Sequence, residues 1–140
     1  MPKLFEHLTN FVVPGQPVAM GRPRFTKSGR CFTPKKTADA IKNISSYASE
    51  ATELRGLDTA LHLGVTFVHA RPKRFKKGQR FMKTTRPDVD NLIKTVKDGI
   101  THAGIWKDDS YVVSLDAYDY YGATDEEPHT TVLILKYDEN

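Results

Sequence analysis

The segment Leu61-His62-Leu63-Gly64-Val65-Thr66-Phe67-Val68-His69 alternates between apolar and polar positions along most of its length. Its odd-numbered residues from Leu61 to Phe67 are apolar, and its even-numbered residues from 62 to 66 are polar or glycine. Successive side chains of a β-strand point to opposite faces of a sheet. The pattern therefore predicts a strand over residues 60–69 with one well-buried face.

The flanking segments complete the predicted fold. Apolar residues at helical spacing indicate one helix from Thr33-Pro34 to about Leu54 and another from about Val89 to Ala103-Gly104. Strands are predicted over residues 5–13, 111–121 and 130–137, and the last is expected to be central because it is apolar on both faces. Residues 14–32 should form a loop or irregular hairpin, and residues 70–87 a basic loop. The order β-α-β-α-β-β predicts an α+β fold, a two-layer sandwich with a mixed sheet of about four strands, as one domain over residues 1–140.

The composition is typical of a folded domain, with 39% hydrophobic and 27% charged residues in a chain of 140. No apolar run has the length of a membrane span and no signal peptide is visible, so we expect a cytoplasmic protein without a membrane partner. A single cysteine, Cys31, excludes an internal disulfide and a cysteine-based zinc site. Residues 1–87 carry 17 basic and 5 acidic residues (+12), whereas residues 88–140 carry 4 and 12 (−8). The basic part favours a polyanionic partner.

The first acidic segment opens the second predicted helix. Asp88 and Asp90 lie at its start, and Asp90, Lys94 and Asp98 follow one another at steps of four, which places them on one stripe of the helix. An ordinary structural explanation competes with a catalytic one. Asp is a common N-cap residue, acids favour the positive end of a helix, and Asp90 with Lys94 could form a surface ion pair.

The second acidic segment, Asp108-Asp109, lies between the second helix and the third long strand. A simple hairpin would leave it roughly 20 Å from Asp90, at the far end of the helix. Only a loop that returns along the helix would bring the carboxylates together, and periodicity alone does not establish this return. Two such charges about 4 Å apart would repel by roughly 4 kcal/mol at an effective dielectric near 20, so the cluster would require a cation or a raised pKa. Oxygen ligands suit Mg²⁺ or Mn²⁺, and a neighbouring lysine suits a phosphate.

Two basic segments interleave cations with phenylalanines. Solvated charge is the ordinary explanation for such segments, but one-sided clustering with aromatic residues favours nucleic acid. The cations are Arg22, Arg24, Lys27, Arg30, Lys35 and Lys36 in the first segment, and Arg71, Lys73, Arg74, Lys76, Lys77, Arg80, Lys83 and Arg86 in the second. All of them except Lys35 and Lys36 are predicted to bind DNA.

Residues 86–112 closely resemble the motif of the RusA family of Holliday junction resolvases. The matching elements are Arg86-Pro87-Asp88-Val89-Asp90-Asn91-Leu92-Ile93-Lys94, then Asp98, then the segment from Gly104 to Val112 that contains Asp108 and Asp109. Residues 14–25 and 32–37 are similar to the phage and Gram-positive branch of this family, which makes a phage or prophage origin the expectation.

The resemblance implies catalytic metal ligands at Asp88, Asp90 and Asp109 and a catalytic lysine at Lys94. The roles of Asp108 and Asp98 are less clear from the resemblance. We expect Asp108 to be a further metal ligand, and Asp98 either to be structural or to orient Lys94. The resemblance also implies that Asp109 returns to the Asp88/Asp90 end, either within the subunit or in a dimer.

The expected function is a Mg²⁺-dependent endodeoxyribonuclease, with Mn²⁺ as a substitute metal, that resolves four-way DNA junctions in recombination and repair. A junction presents two equivalent strands, so paired symmetric cuts require two active sites and predict a C2 homodimer. Three alternatives remain open at this point. They are a Mg²⁺-dependent nuclease acting on other branched DNA, a non-catalytic nucleic-acid-binding module, and a structural protein whose basic loop binds an acidic protein.

Overall fold

The computed structural model describes residues 4–138, so residues 1–3 and 139–140 of the predicted domain lie outside the described residues. Its elements are β1 (Leu4–Pro14), β2 (Arg24–Phe25), β3 (Cys31–Phe32), α1 (Lys35–Ala51), β4 (Leu61–His69), β5 (Phe81–Met82), α2 (Val89–Ala103), β6 (Val112–Tyr121) and β7 (His129–Asp138). The four long strands and two helices follow the predicted order. Within residues 4–138, no helix is long and apolar enough to span a bilayer.

The main sheet has five strands in the order β1-β7-β4-β6-β5, and β2 and β3 form a separate antiparallel hairpin. β4 pairs parallel with β6, whereas the other pairs of the main sheet are antiparallel, so the predicted mixed sheet is confirmed. β7 lies between β1 and β4, as its apolar faces predicted. The fifth strand, β5, is only two residues long, which is too short for alternation to show in the sequence.

Both helices pack on one face of the sheet and enclose a single apolar core. The predicted buried positions of β4 point into it, and Leu61, Leu63 and Phe67 are at most 1% exposed. The α2 stripe of Leu92, Val96 and Ile100 covers them. This burial leaves the polar side of α2 facing outward, where it can serve a site.

The bounds of α1 differ from those predicted. The helix runs over Lys35–Ala51, with Pro34 at the N-cap position, rather than from Thr33-Pro34 to about Leu54. Thr52 is extended, and its Oγ1 accepts a hydrogen bond from the Leu54 amide at 3.1 Å. This local side-chain bond competes with further helical turns and explains the early end.

Candidate active site

Asp88 occupies the N-cap position of α2, but its side chain makes no capping hydrogen bond. Its backbone carbonyl accepts from the Asn91 amide at 3.1 Å and from the Leu92 amide at 3.3 Å. The helix is therefore started by the backbone, and the capping explanation for this carboxylate is wrong. The Asp88 side chain is exposed and available to a ligand.

Asp90, Lys94 and Asp98 form the exposed stripe of α2 that their spacing predicted. Among the residues that the structure describes, no salt bridge joins Asp90 to Lys94. The expected surface ion pair is therefore absent. A carboxylate and an ammonium stand one helical turn apart on the same outward face, and neither neutralises the other by direct contact.

The chain leaves α2 through a turn at Gly104, whose φ of 75° is easily adopted only by glycine. The Ile105 amide donates to the Ile100 carbonyl, and Ile105 and Trp106 are 0% and 1% exposed. The Trp106 Nε1–H donates to Thr101 Oγ1 at 2.7 Å. These buried anchors hold the loop against the helix and direct the next residues back along it.

The return stops part of the way along α2. Asp109 begins a short 3₁₀ turn, Asp109–Tyr111, that contacts the helix. Partial burial raises the pKa of Asp98, and the negative charge of Asp109 raises it further. Asp98 lies eight residues after Asp90, about 12 Å along the helix axis.

Asp108 has a local structural role. Its Oδ2 accepts from the Ser110 amide at 3.3 Å and caps the 3₁₀ turn. The hydrogen bonding of Ser110 lowers the pKa of Asp108. Its predicted role as a metal ligand stays a prediction, and this bond already uses one of its oxygens.

Asp88, Asp90 and Asp109 do not meet within one subunit. Within residues 4–138, no three acidic, histidine or cysteine side chains are arranged to hold a metal ion. The topology explains the separation. α2 is the crossover between parallel strands β4 and β6, so its start lies near the end of β6, whereas Asp109 immediately precedes the start of β6. The residues of a single subunit therefore do not fit the three-carboxylate Mg²⁺ site that the sequence motif implies.

A basic cleft of about 880 Å³ borders the start of α2. It lies between the segment after β1, the start of α1 and the segment before α2, and none of the described residues that line it is acidic. A backbone hydrogen bond of 3.0 Å from the Met20 amide to the Asn91 carbonyl ties the first of these segments to α2. The lining cations are Arg22, Arg24, Lys36, Lys83 and Arg86, of which all but Lys36 are predicted DNA-binding residues.

His69 lies at the bottom of this cleft and is 2% exposed. The Gln16 side-chain amide donates to His69 Nδ1 at 3.1 Å, so the opposite ring nitrogen, Nε2, carries the proton and donates to Asp119 Oδ1 at 2.6 Å. Burial lowers the pKa of His69, although Asp119 opposes the shift. Sequence reasoning did not identify this group, because its members come from three separate segments and share no local pattern.

Lys83 is fixed beside the first carboxylate. Its Nζ donates to the Thr85 carbonyl at 2.6 Å and to the Pro87 carbonyl at 3.5 Å. The same ammonium lies 5.9 Å from the centre of the Tyr121 ring. Since Pro87 immediately precedes Asp88, a cation stands at the point where the cleft meets the acidic start of α2.

Two of the predicted DNA-binding cations hold the basic loop together. The Arg71 guanidinium donates to the carbonyls of Lys76, Gln79 and Gly122. Arg80 forms a forked ion pair with Glu126 and lowers the pKa of that carboxyl to about 2. Their DNA-binding role stays a prediction, as does that of Lys73, Arg74, Lys76 and Lys77, which are all exposed. The remaining predicted cations, Lys27 and Arg30, lie in the exposed turn of the β2–β3 hairpin.

Comparison with known proteins gives one family and two informative relatives. The profile of the family described as "Endodeoxyribonuclease RusA" matches residues 14–134 of the chain. "Uncharacterized protein YqaN" of Bacillus subtilis (strain 168) is 35% identical over 136 residues, which cover 89% of this chain and 93% of that protein. "Crossover junction endodeoxyribonuclease rusA" of Lactococcus phage r1t is 42% identical over 57 residues, 41% of this chain and 42% of that protein. The similarity to the phage enzyme thus spans less than half of either chain.

Proposed function

The chain belongs to the RusA family of endodeoxyribonucleases, and from this premise we propose that it is a Mg²⁺-dependent homodimeric nuclease that resolves four-way DNA junctions by paired symmetric nicks. The family supports internal cleavage of DNA, and the name of the phage relative supports a crossover junction as the substrate. The proposal places the enzyme in the cytoplasm, in DNA recombination and repair, as the product of a phage or prophage.

The observation that carries the proposal is that the exposed Asp88 directly follows Pro87, which lines the basic cleft together with five cations. Polyanions are attracted to such a cleft because each phosphate contact releases counterions from the DNA. Lys83 and Arg86 would hold the phosphates that enter it. The carboxylates would then face the next phosphodiester, with Lys94 one turn along the helix.

Lys94 is proposed to stabilise the negative charge that develops on the phosphoryl oxygens or on the leaving oxygen. Its side chain is exposed, and no acid neutralises it by direct contact in the part of the chain that the structure describes. Mg²⁺, once bound, would supply a water of lowered pKa and further neutralisation of charge. The proposed ligands are Asp88, Asp90 and Asp109, although one subunit does not bring them together.

This mismatch supports a dimer in which each active site is shared. Asp88 and Asp90 of one subunit would form the site with Asp109 of the partner subunit. An arrangement of this kind would restrict metal binding to the dimer. It would also couple the two sites through one two-fold axis, as paired nicks on symmetric strands require.

The first experiment compares cleavage of a labelled four-way junction with cleavage of linear duplex of the same sequence. Wild-type protein with Mg²⁺ should nick the junction in two symmetric strands and leave the duplex intact. EDTA or Asp90→Asn should abolish the nicks, whereas Asp116→Asn, an exposed aspartate outside the motif, should preserve them. If the protein bound DNA but cleaved none with any metal tested, the proposed nuclease activity would be refuted, and the alternative of a non-catalytic DNA-binding protein would be supported.

A mixing experiment tests the shared site. Asp90→Asn and Asp109→Asn homodimers should each be inactive, and a mixture allowed to exchange subunits should regain activity. In the mixed dimer, one shared site holds both native aspartates and the other holds neither, so the products should be single nicks. If each site lay within one subunit, neither site of the mixed dimer would be intact, and the mixture would remain inactive.

A further inference from the structure

The β2–β3 hairpin stands apart from the main sheet. Its strands pair Arg24 with Phe32 and Phe25 with Cys31. The turn is tied by hydrogen bonds from the Thr26 amide to the Arg30 carbonyl at 2.8 Å and from the Arg30 amide to Thr26 Oγ1 at 3.1 Å. A two-stranded hairpin of this size buries little of its own surface, so a partner would add to its stability.

Among residues 5–138, Phe25 is the most exposed large apolar side chain, at 70%. A single exposed apolar residue is ordinary on a protein surface. This one, however, projects from a segment with no acidic residue between Glu6 and Asp39. The cations around it are Arg22, Arg24, Lys27 and Arg30. An exposed aromatic ring among cations complements a nucleic acid, which offers phosphates and base faces together.

The two faces of the hairpin have different surroundings. Residues directly opposite each other in an antiparallel pair share a face, so Arg24 lies with Phe32, and Phe25 lies with Cys31 on the other side. Arg24 lines the basic cleft. Phe25 therefore lies on the side of the hairpin that faces away from the cleft.

We propose that this hairpin is a wedge for the branch point of DNA, with Phe25 stacked on a base that becomes exposed where the arms diverge. The inference rests on the proposed function and adds a residue that selects the substrate. Apolar side chains enter base steps most easily where pairing is already broken. Continuous duplex offers no such base, so Phe25 should contribute to junction binding and little to duplex binding.

The test compares Phe25→Ala with the control variant Phe5→Ala. Phe5 is 50% exposed and lies near the start of β1, whereas the hairpin follows the end of that strand. Binding is measured in EDTA, so that no strand is cut, with four-way junction and with duplex of the same sequence. Phe25→Ala should weaken junction binding by about 5- to 150-fold, the range for loss of one base–aromatic stack. It should change duplex binding less than about twofold, Phe25→Trp should retain the preference, and Phe5→Ala should leave both affinities unchanged.

Cys31 supplies an independent readout, because it is the only cysteine of the chain and is exposed on the Phe25 face. Saturating junction should slow its alkylation by a maleimide, and saturating duplex should not. An unchanged junction preference in Phe25→Ala would overturn the wedge, and so would equal protection of Cys31 by both DNAs. Loss of the dimer on sedimentation of Phe25→Ala would instead make the hairpin a subunit contact. Wild-type cleavage separates the two proposals, because a wild type that does not cut junctions refutes the proposed function, whatever Phe25 does.

Discussion

Gly99 marks the closest approach of α2 to α1, and replacing it with alanine should destabilise the protein. A Cβ at this position would lie 2.5 Å from Ile44 Cγ2, 2.6 Å from Ile44 Cβ and 3.3 Å from the Ile41 carbonyl oxygen. Ile44 is itself 7% exposed and packed in the core. The added methyl group can therefore be accommodated only if the helices move apart.

The expected magnitude follows from two opposing effects. Overpacking of a core costs about 1–3 kcal/mol, and the upper value applies here because two contacts are shorter than any real Cβ contact. Alanine is about 1 kcal/mol more favourable than glycine inside a helix, so this part of the exchange stabilises the protein. The net loss in the free energy of unfolding is then about 2 kcal/mol, which corresponds to a fall of about 4–8 °C in Tm for a domain of this size.

The assay is urea and thermal unfolding of Gly99→Ala beside Gly64→Ala. At Gly64, in β4, a Cβ would lie 3.7 Å from Leu133 Cβ, an ordinary contact. Since glycine inside a strand is about 0.5–1 kcal/mol less favourable than alanine, Gly64→Ala should be neutral or stabilising. A Gly99→Ala variant as stable as wild type would refute the close packing of the helices. A variant that loses stability without losing helix content would support it.

Three further predictions concern stability. Glu126→Gln should lose about 1 kcal/mol at pH 7, because its ion pair with Arg80 is partly exposed and screened. The pKa of Glu126 falls from 4.5 to about 2 on folding. The difference in the free energy of unfolding between wild type and Glu126→Gln should therefore shrink as the pH drops from about 4.5 towards 2, which urea titrations at several pH values would measure. Burial lowers the pKa of His69, so the stability of wild type should fall as the pH drops below about 6.5. In thermal melts at several pH values, the Tm of His69→Gln should depend less steeply on pH than that of wild type. Trp106→Phe removes the hydrogen bond to Thr101 and leaves a void, so chemical denaturation should show a loss of about 2 kcal/mol in the free energy of unfolding. The same substitution should displace the loop that carries Asp109 and thereby reduce junction cleavage.

Periodicity predicted the elements that are long enough to show it. The alternation around Val65 and the helical stripe of Leu92, Val96 and Ile100 both describe elements whose core faces the structure confirms. The short strands β2, β3 and β5 have two residues each and carry no periodic signal. Strand order depends on contacts between distant segments, so it could not be derived from local patterns.

The sequence likewise predicted some residues of the candidate site and not others. The stripe of Asp90, Lys94 and Asp98 was placed correctly, because helical geometry converts spacing directly into position. His69 was not identified, since its importance depends on the cleft that forms when Gln16 and Tyr121 reach it from elsewhere in the chain. Its isolated sequence environment shows only the end of a strand.

The position of Asp109 shows why a continuous motif need not form a continuous site. Helix α2 must cross over between parallel strands, and a crossover carries its two ends to opposite ends of those strands. The loop that folds back, anchored by Ile105 and Trp106, brings the charge of Asp109 under the influence of Asp98, which lies eight residues after Asp90. The remaining distance is about two helical turns, which no side-chain rotation spans. If Asp88, Asp90 and Asp109 serve one phosphodiester, we expect the third carboxylate to come from a second copy of the chain, so that the chemistry as well as the symmetry of the DNA would require a dimer.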